Sequence, residues 1–253
     1  MANKDNDNEP NDGPAFYDRS DVFDRYRELR GRPWNANDTL EAPVVEQVVG
    51  DVRGLRVLDL GCGAGGYGRA LLGRGASRYV GLDGSTRMAG LARNTLRGTS
   101  GEIIERDLAG ATFEANAFDL VVSRLALHYL ADLDGVLAAA AHALVPGGRL
   151  VYSVEHPVIT SCSRAGTGPR RQDWIVDDYF VTGPRQETWL GATFRKYHRT
   201  LEDQVAAVQR AGFVLTHLRE SRPRRELHPD ASEYQRRSRI PLFLVLGGQL
   251  PRP

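Results

Sequence analysis

The sequence has few cysteines, few lysines and no long apolar run. Its two cysteines, Cys62 and Cys162, can supply neither a disulfide framework nor a four-ligand zinc site, so we predict no metal site and a reducing, cytoplasmic setting. No stretch approaches the roughly 18 uninterrupted apolar residues that a transmembrane helix needs. The opening residues MANKDNDNEPNDGP are acidic and amide-rich with no apolar segment, and we therefore expect no secretory signal.

An excess of charge of one sign is also lacking. Only Lys4 and Lys196 are lysines among the 33 basic residues, and 32 acidic residues leave a net charge of +1 at pH 7. The balance gives no general attraction to nucleic acid or to an anionic membrane. With 253 residues, of which 41% are hydrophobic, the chain can fill one core. We expect a disordered tail over 1–14 and one domain over 15–253, with a helical N-terminal cap over 15–53 and an insertion at about 157–199.

After Gly54, short apolar runs alternate with helical segments, which is typical of a parallel sheet with crossover helices. The chain is therefore predicted to be an α/β protein with a doubly wound, mostly parallel sheet. A helix capped by Ser20 and a second one opened by the capping-box pair Asp38 and Glu41 should precede it. The predicted strands are 55–60, 78–83, 102–105, 118–123, 149–154, 213–220 and 240–248, with strand-like pieces at 174–180 and 187–194 in the insertion; the later helices are 86–96, 132–145 and one from Leu201 that Gly212 ends.

The most informative segment is VLDLGCGAGG, in which a buried strand runs into a glycine turn that opens a helix. Glycines allow a ligand to approach the backbone, and a helix N-terminus offers free N–H donors. Gly61, Gly63 and Gly66 fit the dinucleotide pattern G-x-G-x-x-G, and Asp83 ends the next strand at the position of a ribose-binding carboxylate. On the glycines alone, NAD remains an open alternative.

Asp59 favours a different ligand. It precedes the first glycine by two residues and should face the ligand from the end of the strand. A carboxylate there would repel a pyrophosphate but attract an ammonium or sulfonium group. The residues VLDLGCGAG and GLDGSTRM resemble class I S-adenosylmethionine (SAM)-dependent methyltransferases, as do FDLVVSRLALHYL and LVPGGRLVYSV; the similarity covers roughly 54–155. It implies a seven-stranded sheet with the last strand antiparallel, SAM as cofactor and S-adenosylhomocysteine as product.

The resemblance also assigns cofactor-binding roles. It implies that Asp59, Gly61 and Gly63 hold the methionine end of SAM and that Asp83, followed by Gly84 and Ser85, accepts from both ribose hydroxyls. Met88 would lie on the adenine face. The other implied contacts are Asp107 and the Leu108 N–H at the adenine, the Ser123 carbonyl near the methionine ammonium, and Tyr17 and Tyr26 closing over the cofactor.

Two histidines follow predicted strands and are candidates for a general base. His128 lies just after the fourth strand and His156 just after the fifth, at carboxyl ends where open α/β sheets bind ligands. The insertion is expected to bind the acceptor through aromatic and polar side chains. The basic run 195–199 predicts either an acidic acceptor or a solvated helix start. The candidate acceptor-binding residues are Trp174, Trp189, Tyr197 and His198.

We therefore predict a methyltransferase that acts on oxygen or nitrogen of a small-molecule acceptor by direct in-line displacement. We expect a monomer or homodimer with no membrane partner and no nucleic-acid partner. An RNA or protein methyltransferase is the alternative, favoured if six arginines formed one basic face. The remaining alternatives are an NAD-dependent dehydrogenase and a protein that keeps SAM as a structural or sensing ligand. The six arginines are Arg164, Arg170, Arg171, Arg222, Arg224 and Arg225.

Overall fold

The alternating apolar runs form the strands of a central sheet in the computed structural model, which describes residues 13–32, 34–162, 174–228 and 230–252. Residues 57–60 are buried on both faces, as expected of a central strand in a parallel sheet. The strands are β1 Arg56–Leu60, β2 Arg78–Asp83, β3 Gly101–Glu105, β4 Phe118–Arg124, β5 Leu144–Glu155, β6 Gly183–Trp189, β7 Ala192–His198, β8 Val214–Glu220 and β9 Phe243–Gln249.

Seven of these strands form one sheet in the order β3-β2-β1-β4-β5-β9-β8. Strands β1 to β5 pair in parallel, whereas β9 runs antiparallel to both β5 and β8. The expected seven-stranded sheet with its last strand antiparallel is thereby confirmed. The strand order reverses beside β1, between β2 and β4, so the carboxyl ends of these strands open onto a crevice.

Helices cover both faces of this sheet. The helices that contain Val45, Leu71 and Ala92 lie on one face, and those that contain Leu137 and Val208 lie on the other. Within the described ranges, no helix is both long and apolar enough to span a membrane. The helices are α1 Gly13–Asp18, α2 Ser20–Gly31, α3 Ala42–Val49, α4 Gly66–Gly73, α5 Thr86–Thr95, α6 Leu133–Ala143, α7 Pro157–Thr160, α8 Leu201–Arg210 and α9 Ala231–Arg237.

The N-terminal helices and the β6–β7 hairpin pack together above the carboxyl ends of the strands, and we call this unit (α1, α2, β6 and β7) the cover. Phe16 of α1 is fully buried, with its ring 4.8 Å from Phe194 and 6.1 Å from Trp189. A Cβ at Gly84 would lie only 2.7 Å from Pro14, so α1 presses directly on the turn after β2. The insertion thus forms part of the cover.

Several local predictions were wrong in their details. Helix α1 already starts at Gly13, inside the segment expected to be disordered; residues 1–12 lie outside the described residues. Ser20 is the first helical residue and caps nothing. The predicted capping box is absent because a π-helical turn over Asn37–Glu41 precedes α3, and the Glu41 side chain bonds elsewhere. Residues 174–180 form no strand, and the polar loop before β9 contains α9, which sequence periodicity did not indicate.

Candidate functional site

A cleft of about 930 Å³ lies between the carboxyl ends of the strands and the cover. Open α/β sheets place ligands at this edge, beside the point where the strand order reverses. The cleft is lined at the sheet by Asp59, Gly61, Gly63, Asp83, Gly84, Met88, Asp107, Leu108 and Arg124, and nearer the cover by Tyr17, Tyr26, Glu41, Tyr67, His128, Tyr129, Glu155, Glu187, Trp189 and Phe194.

The glycine turn after β1 forms the floor of the cleft. Gly61 has φ +79° and Gly63 has φ +54°, a region that side-chain-bearing residues rarely adopt. A Cβ at Gly61 would lie 2.4 Å from that of Ala126, which follows β4, so only glycine allows these two turns to meet. At Gly63, in contrast, the space around a Cβ is open. Packing therefore fixes the floor at Gly61, whereas the space beside Gly63 is free of other protein atoms.

Asp59 brings a buried carboxylate to this floor. Its residue is 2% exposed, and its Oδ2 accepts a hydrogen bond of 2.7 Å from the Tyr79 hydroxyl. Its Oδ1 has no hydrogen-bond partner among the described residues. Burial raises the pKa of Asp59 to about 6, against the opposing effects of the Tyr79 hydroxyl and the Arg124 charge. A buried acceptor atom without a donor fits a ligand that carries its own donor, such as an ammonium group.

Asp83 places a second carboxylate at the end of β2. Its Oδ2 accepts from the Gly63 N–H at 2.8 Å and its Oδ1 from the Ser85 N–H at 3.0 Å, so both oxygens have fixed positions. Burial raises its pKa, although these two backbone bonds oppose the shift. A carboxylate held in this way can accept further hydrogen bonds from two neighbouring hydroxyls.

An ion pair that was not predicted crosses the cleft beside Asp59. Glu41, whose side chain is fully buried, pairs with Arg124 at the end of β4, and its Oε1 also accepts from the Ser153 hydroxyl at 2.6 Å. The Arg124 guanidinium lies 4.6 Å from the centre of the Tyr67 ring. The capping-box spacing misdirected the prediction for Glu41, because the partners of this side chain are 83 and 112 positions away.

His128 lies near the end of the cleft next to the hairpin, in a short turn after β4. Its residue is 4% exposed, and its Nδ1 has no hydrogen-bond partner within the described part of the chain. Burial lowers the pKa of His128 to about 4, with the nearby charge of Lys196 acting in the same direction and that of Glu155 against it. The imidazole is therefore neutral at physiological pH. Its ring lies 4.4 Å from that of Tyr129, whose hydroxyl is 3.1 Å from that of Tyr17.

The structure brings most of the predicted cofactor-binding residues together. Ser85 and Ser123, of which the second was expected to contact the cofactor through its carbonyl, are not among the lining residues, and both side chains are engaged elsewhere. Ser85 caps α5 by accepting from the Met88 N–H and donates to Asp18, and Ser123 donates to the Leu60 carbonyl. The residues that do line the cleft are Tyr17, Tyr26, Asp59, Gly61, Gly63, Asp83, Gly84, Met88, Asp107 and Leu108.

The structure does not bring His156 to the cleft lining. Pro157 starts α7 immediately after it, and the His156 Nδ1 accepts from the Val158 N–H at 3.2 Å as the N-cap of that helix. Its Nε2 lies 3.1 Å from a carboxylate oxygen of Glu220. Burial lowers the pKa of His156, against the influence of the Glu220 charge. Both ring nitrogens are thus engaged in holding the fold.

Of the four acceptor-binding candidates, only Trp189 lines the cleft. His198 is buried between the Thr160 hydroxyl and the Tyr179 carbonyl, at 2.7 and 2.9 Å. Tyr197 points to the other side of β7 and packs against Arg199, and Trp174 is half-buried outside the lining. Alternation along β7 explains the outcome, since Phe194, Lys196 and His198 share the buried face.

The lysine of the basic run 195–199 is engaged within the fold. Lys196 is 3% exposed and forms ion pairs with both Glu155 and Glu187. Although burial lowers its pKa, the two carboxylates outweigh that effect and raise it, so Lys196 is fully charged. Of the six arginines that could mark a nucleic-acid face, Arg164, Arg170 and Arg171 lie outside the described residues.

Comparison with known proteins gives one consistent answer. A family model described as a methyltransferase domain matches residues 57–148. The crystal structure of an S-adenosylmethionine-dependent methyltransferase from Mesorhizobium loti is similar at 34% identity and a TM-score of 0.76, over 83% of this chain and 97% of that one. A putative S-adenosylmethionine-dependent methyltransferase from Listeria monocytogenes is similar at 30% identity and a TM-score of 0.77, over 84% and 97%.

A third protein, which has a more specific description, is similar over a shorter stretch of this chain. A ubiquinone biosynthesis O-methyltransferase from Sinorhizobium fredii is 34% identical over 119 residues, which cover 45% of this chain and 46% of that protein. This chain covers nearly the whole length of both solved structures. All of these proteins are described as methyltransferases.

Proposed function

This chain belongs to the S-adenosylmethionine-dependent methyltransferases, and on that premise we propose that it methylates an oxygen or nitrogen atom of a small-molecule acceptor. It is an enzyme whose cofactor is SAM. The observation that carries the proposal is the covered cleft, whose walls near the hairpin are the aromatic rings of Tyr129, Trp189 and Phe194. Enclosed aromatic walls select small molecules by shape and exclude water. The match to an O-methyltransferase supports oxygen as a target.

The residues at the sheet edge fit this cofactor. We assign the unpartnered Oδ1 of Asp59 to the methionine ammonium and the Asp83 carboxylate to the ribose hydroxyls. Met88, which is 3% exposed, would pack on the adenine, with Asp107 and Leu108 at its edge. The Asp59 carboxylate would repel the pyrophosphate of NAD, which argues against the dehydrogenase alternative.

Bound SAM supplies an electrophilic methyl group on a sulfonium centre, and the task of the protein is alignment and the exclusion of water. Tyr17, Tyr26 and Tyr129 form a connected aromatic layer on the cover side of the cleft, with ring centres 5.2 and 6.1 Å apart. This layer separates the cleft from solvent above the cofactor residues. The close approach of Gly61 to Ala126 fixes the turn after β1 against the turn after β4.

His128 is the histidine that we propose for the reaction, since His156 is engaged as a helix cap. The neutral imidazole of His128 can accept a hydrogen bond from the hydroxyl or amine of the acceptor, orient its lone pair and take up its proton. Because the pKa of His128 is about 4, this capacity should persist on acidification down to about pH 5.

The test is methyl transfer from SAM to a panel of phenols and amines, followed as S-adenosylhomocysteine formed, with transfer RNA and protein substrates alongside. We expect turnover with small molecules only. His128→Gln should lower kcat by about 100-fold or more, the usual contribution of a positioned general base, and leave S-adenosylhomocysteine affinity unchanged. The matched control is His217→Gln, an exposed histidine on β8.

Two results would contradict this proposal. Transfer to RNA or protein in place of small molecules would select the alternative function. A His128→Gln enzyme with wild-type kcat would remove His128 from the reaction while leaving the methyltransferase assignment intact.

A further inference from the structure

Two hydrogen-bond donors beside the glycine turn have no acceptor among the described residues. The Tyr67 hydroxyl, on the first turn of α4, is buried and bonds to none of them. Arg124, at the end of β4, donates to Glu41 through Nε and Nη2 only, so its Nη1 group has no protein partner in the described ranges. Both residues line the cleft, and the guanidinium lies 4.6 Å from the centre of the Tyr67 ring. The two donors therefore form one pair at the wall of the cleft.

The ion pair with Glu41 determines which edge of the Arg124 guanidinium remains available. A guanidinium is planar and presents two forked edges, one formed by Nε and Nη2 and the other by Nη1 and Nη2. The fully buried Glu41 occupies the first edge, and the Ser153 hydroxyl donates to Glu41 at 2.6 Å. The second edge has the geometry that binds another carboxylate. Glu41 is thus a positioning residue for Arg124.

An unpaired acceptor lies next to these unpaired donors. The Oδ1 of Asp59 has no hydrogen-bond partner within the described part of the chain, and Asp59 lines the same cleft. Asp59 is opposite Val122 in the pairing of β1 with β4, and Arg124 follows Val122 by two residues. The side chains of Asp59 and Arg124 therefore lie on one face of the sheet at its carboxyl edge.

Buried polar atoms are almost always paired, so these three groups indicate a ligand that supplies the complementary ones. The ligand needs a cationic donor for the Asp59 carboxylate. It also needs an anionic acceptor for the Tyr67 hydroxyl and the Arg124 guanidinium. An α-amino acid carries both groups on a single carbon atom, as an ammonium and a carboxylate. The three side chains thus match the amino-acid end of SAM.

We propose that Tyr67 and Arg124 bind the carboxylate of SAM while Asp59 binds the adjacent ammonium, and we call these three residues the zwitterion clamp. The carboxylate would accept charge-assisted hydrogen bonds, which are stronger than bonds between neutral groups. A cofactor analogue without the carboxylate would leave both donors unpaired in the complex. This inference rests on the proposed function, in particular on the ammonium at Asp59, and adds the residues that distinguish SAM from its decarboxylated form.

The test compares two ligands that differ only in this carboxylate, each titrated calorimetrically into the full-length protein. The first is S-adenosylhomocysteine. The second is its decarboxylated analogue, in which a 3-aminopropyl group on the sulfur retains the ammonium. We expect the wild-type protein to bind S-adenosylhomocysteine about 100-fold more tightly than the analogue, because two charge-assisted hydrogen bonds are lost with the carboxylate.

Tyr67→Phe removes the hydroxyl and keeps the ring. It should weaken S-adenosylhomocysteine binding about tenfold and leave the affinity for the analogue unchanged. The stability of the ligand-free protein in urea should not fall, because the hydroxyl has no partner to lose among the described residues. Arg124→Lys keeps the charge but not the fork, and it should also reduce the preference for S-adenosylhomocysteine. Tyr234→Phe, at a half-buried position of α9 outside the cleft lining, is the matched control.

Three outcomes would overturn the clamp. The first is equal affinity of the wild-type protein for the two ligands. The second is a Tyr67→Phe protein that keeps the full preference or loses affinity for both ligands equally, since the hydroxyl would then not meet the carboxylate. The third is a folded Arg124→Lys protein with unchanged preference; if this variant does not fold, Tyr67→Phe alone decides. Failure of the wild-type protein to bind S-adenosylhomocysteine would contradict the proposed function itself, and this titration is read first.

Discussion

The carboxylates at the two ends of the cleft have different kinds of bonding partner. At the glycine turn, Asp59 and Asp83 accept hydrogen bonds from a tyrosine hydroxyl and from backbone N–H groups, and among the described residues no lysine or arginine bonds to either. At the hairpin, Glu155 and Glu187 form ion pairs with a buried lysine. We infer that the Asp59 and Asp83 carboxylates await hydrogen-bond donors from the cofactor, whereas the ion-paired carboxylates hold two structural elements together.

The largest effect should come from removing the lysine at the hairpin. Lys196→Met removes the cation that Glu155 and Glu187 share and breaks the link between β5 and the hairpin. We expect the free energy of unfolding in urea to fall by about 3 kcal/mol, the lower part of the range for broken buried pairs because both carboxylates are partly exposed. The double variant Lys196→Met/Glu187→Gln should recover part of that loss, since one unpaired charge fewer remains.

The matched control for this experiment is an exposed ion pair. Arg210 and Asp134 have side chains that are 58% and 55% exposed, and Arg210→Met should cost less than about 1 kcal/mol. If Lys196→Met destabilised the protein no more than Arg210→Met does, the ion pairs of Lys196 with Glu155 and Glu187 would not be a structural link.

The next largest effect should come from a substitution at the glycine-turn end of the cleft. Asp83→Ala removes the carboxylate assigned to the ribose, and S-adenosylhomocysteine binding should weaken by about 2–3 kcal/mol, the scale of losing hydrogen bonds to a charged group. Stability should change much less than with Lys196→Met, because no basic side chain is left unpaired. Calorimetric titration measures the affinity for S-adenosylhomocysteine, and urea unfolding measures the stability. Asp134→Ala, on the exposed face of α6, is the control; an unchanged affinity in Asp83→Ala would refute the assignment.

The smallest effect is a pH dependence at Asp59. Its pKa is about 6 in the free protein, so below that pH the carboxyl is protonated and must lose a proton before it can bind an ammonium. S-adenosylhomocysteine affinity should be constant above pH 7 and should fall toward tenfold per pH unit below pH 6, about 1.4 kcal/mol per unit. Asp59→Asn should bind more weakly at pH 7.5 and show no such dependence between pH 5 and 7. A wild-type affinity that is flat over this range would show that Asp59 does not meet the ammonium.

The sheet and the glycine-turn end of the site could be predicted from sequence because their signals are local. Strand, turn and helix follow one another within residues 57–73, and Asp83 closes the next strand. The carboxyl ends of parallel strands meet at one edge, so order along the chain gives proximity in space. The period-2 alternation and the helical spacing place these elements without any long-range information.

The ion pairs of the cleft could not be predicted because their partners are distant in sequence. Lys196 bonds to Glu155 across 41 positions, and Arg124 to Glu41 across 83, and no local spacing marks either pair. Local rules even misdirected two predictions. Glu41 has capping-box spacing but faces the sheet, and His156 follows a strand like a site residue but is turned away when Pro157 opens α7.

The most direct test of the central claim is calorimetric titration of the purified wild-type protein with S-adenosylhomocysteine, with NAD as the control ligand. The unpaired carboxylates of Asp59 and Asp83 predict micromolar binding of S-adenosylhomocysteine and no detectable binding of NAD. Binding of NAD without S-adenosylhomocysteine would contradict the account, because it would place a pyrophosphate beside the Asp59 carboxylate, which should repel it.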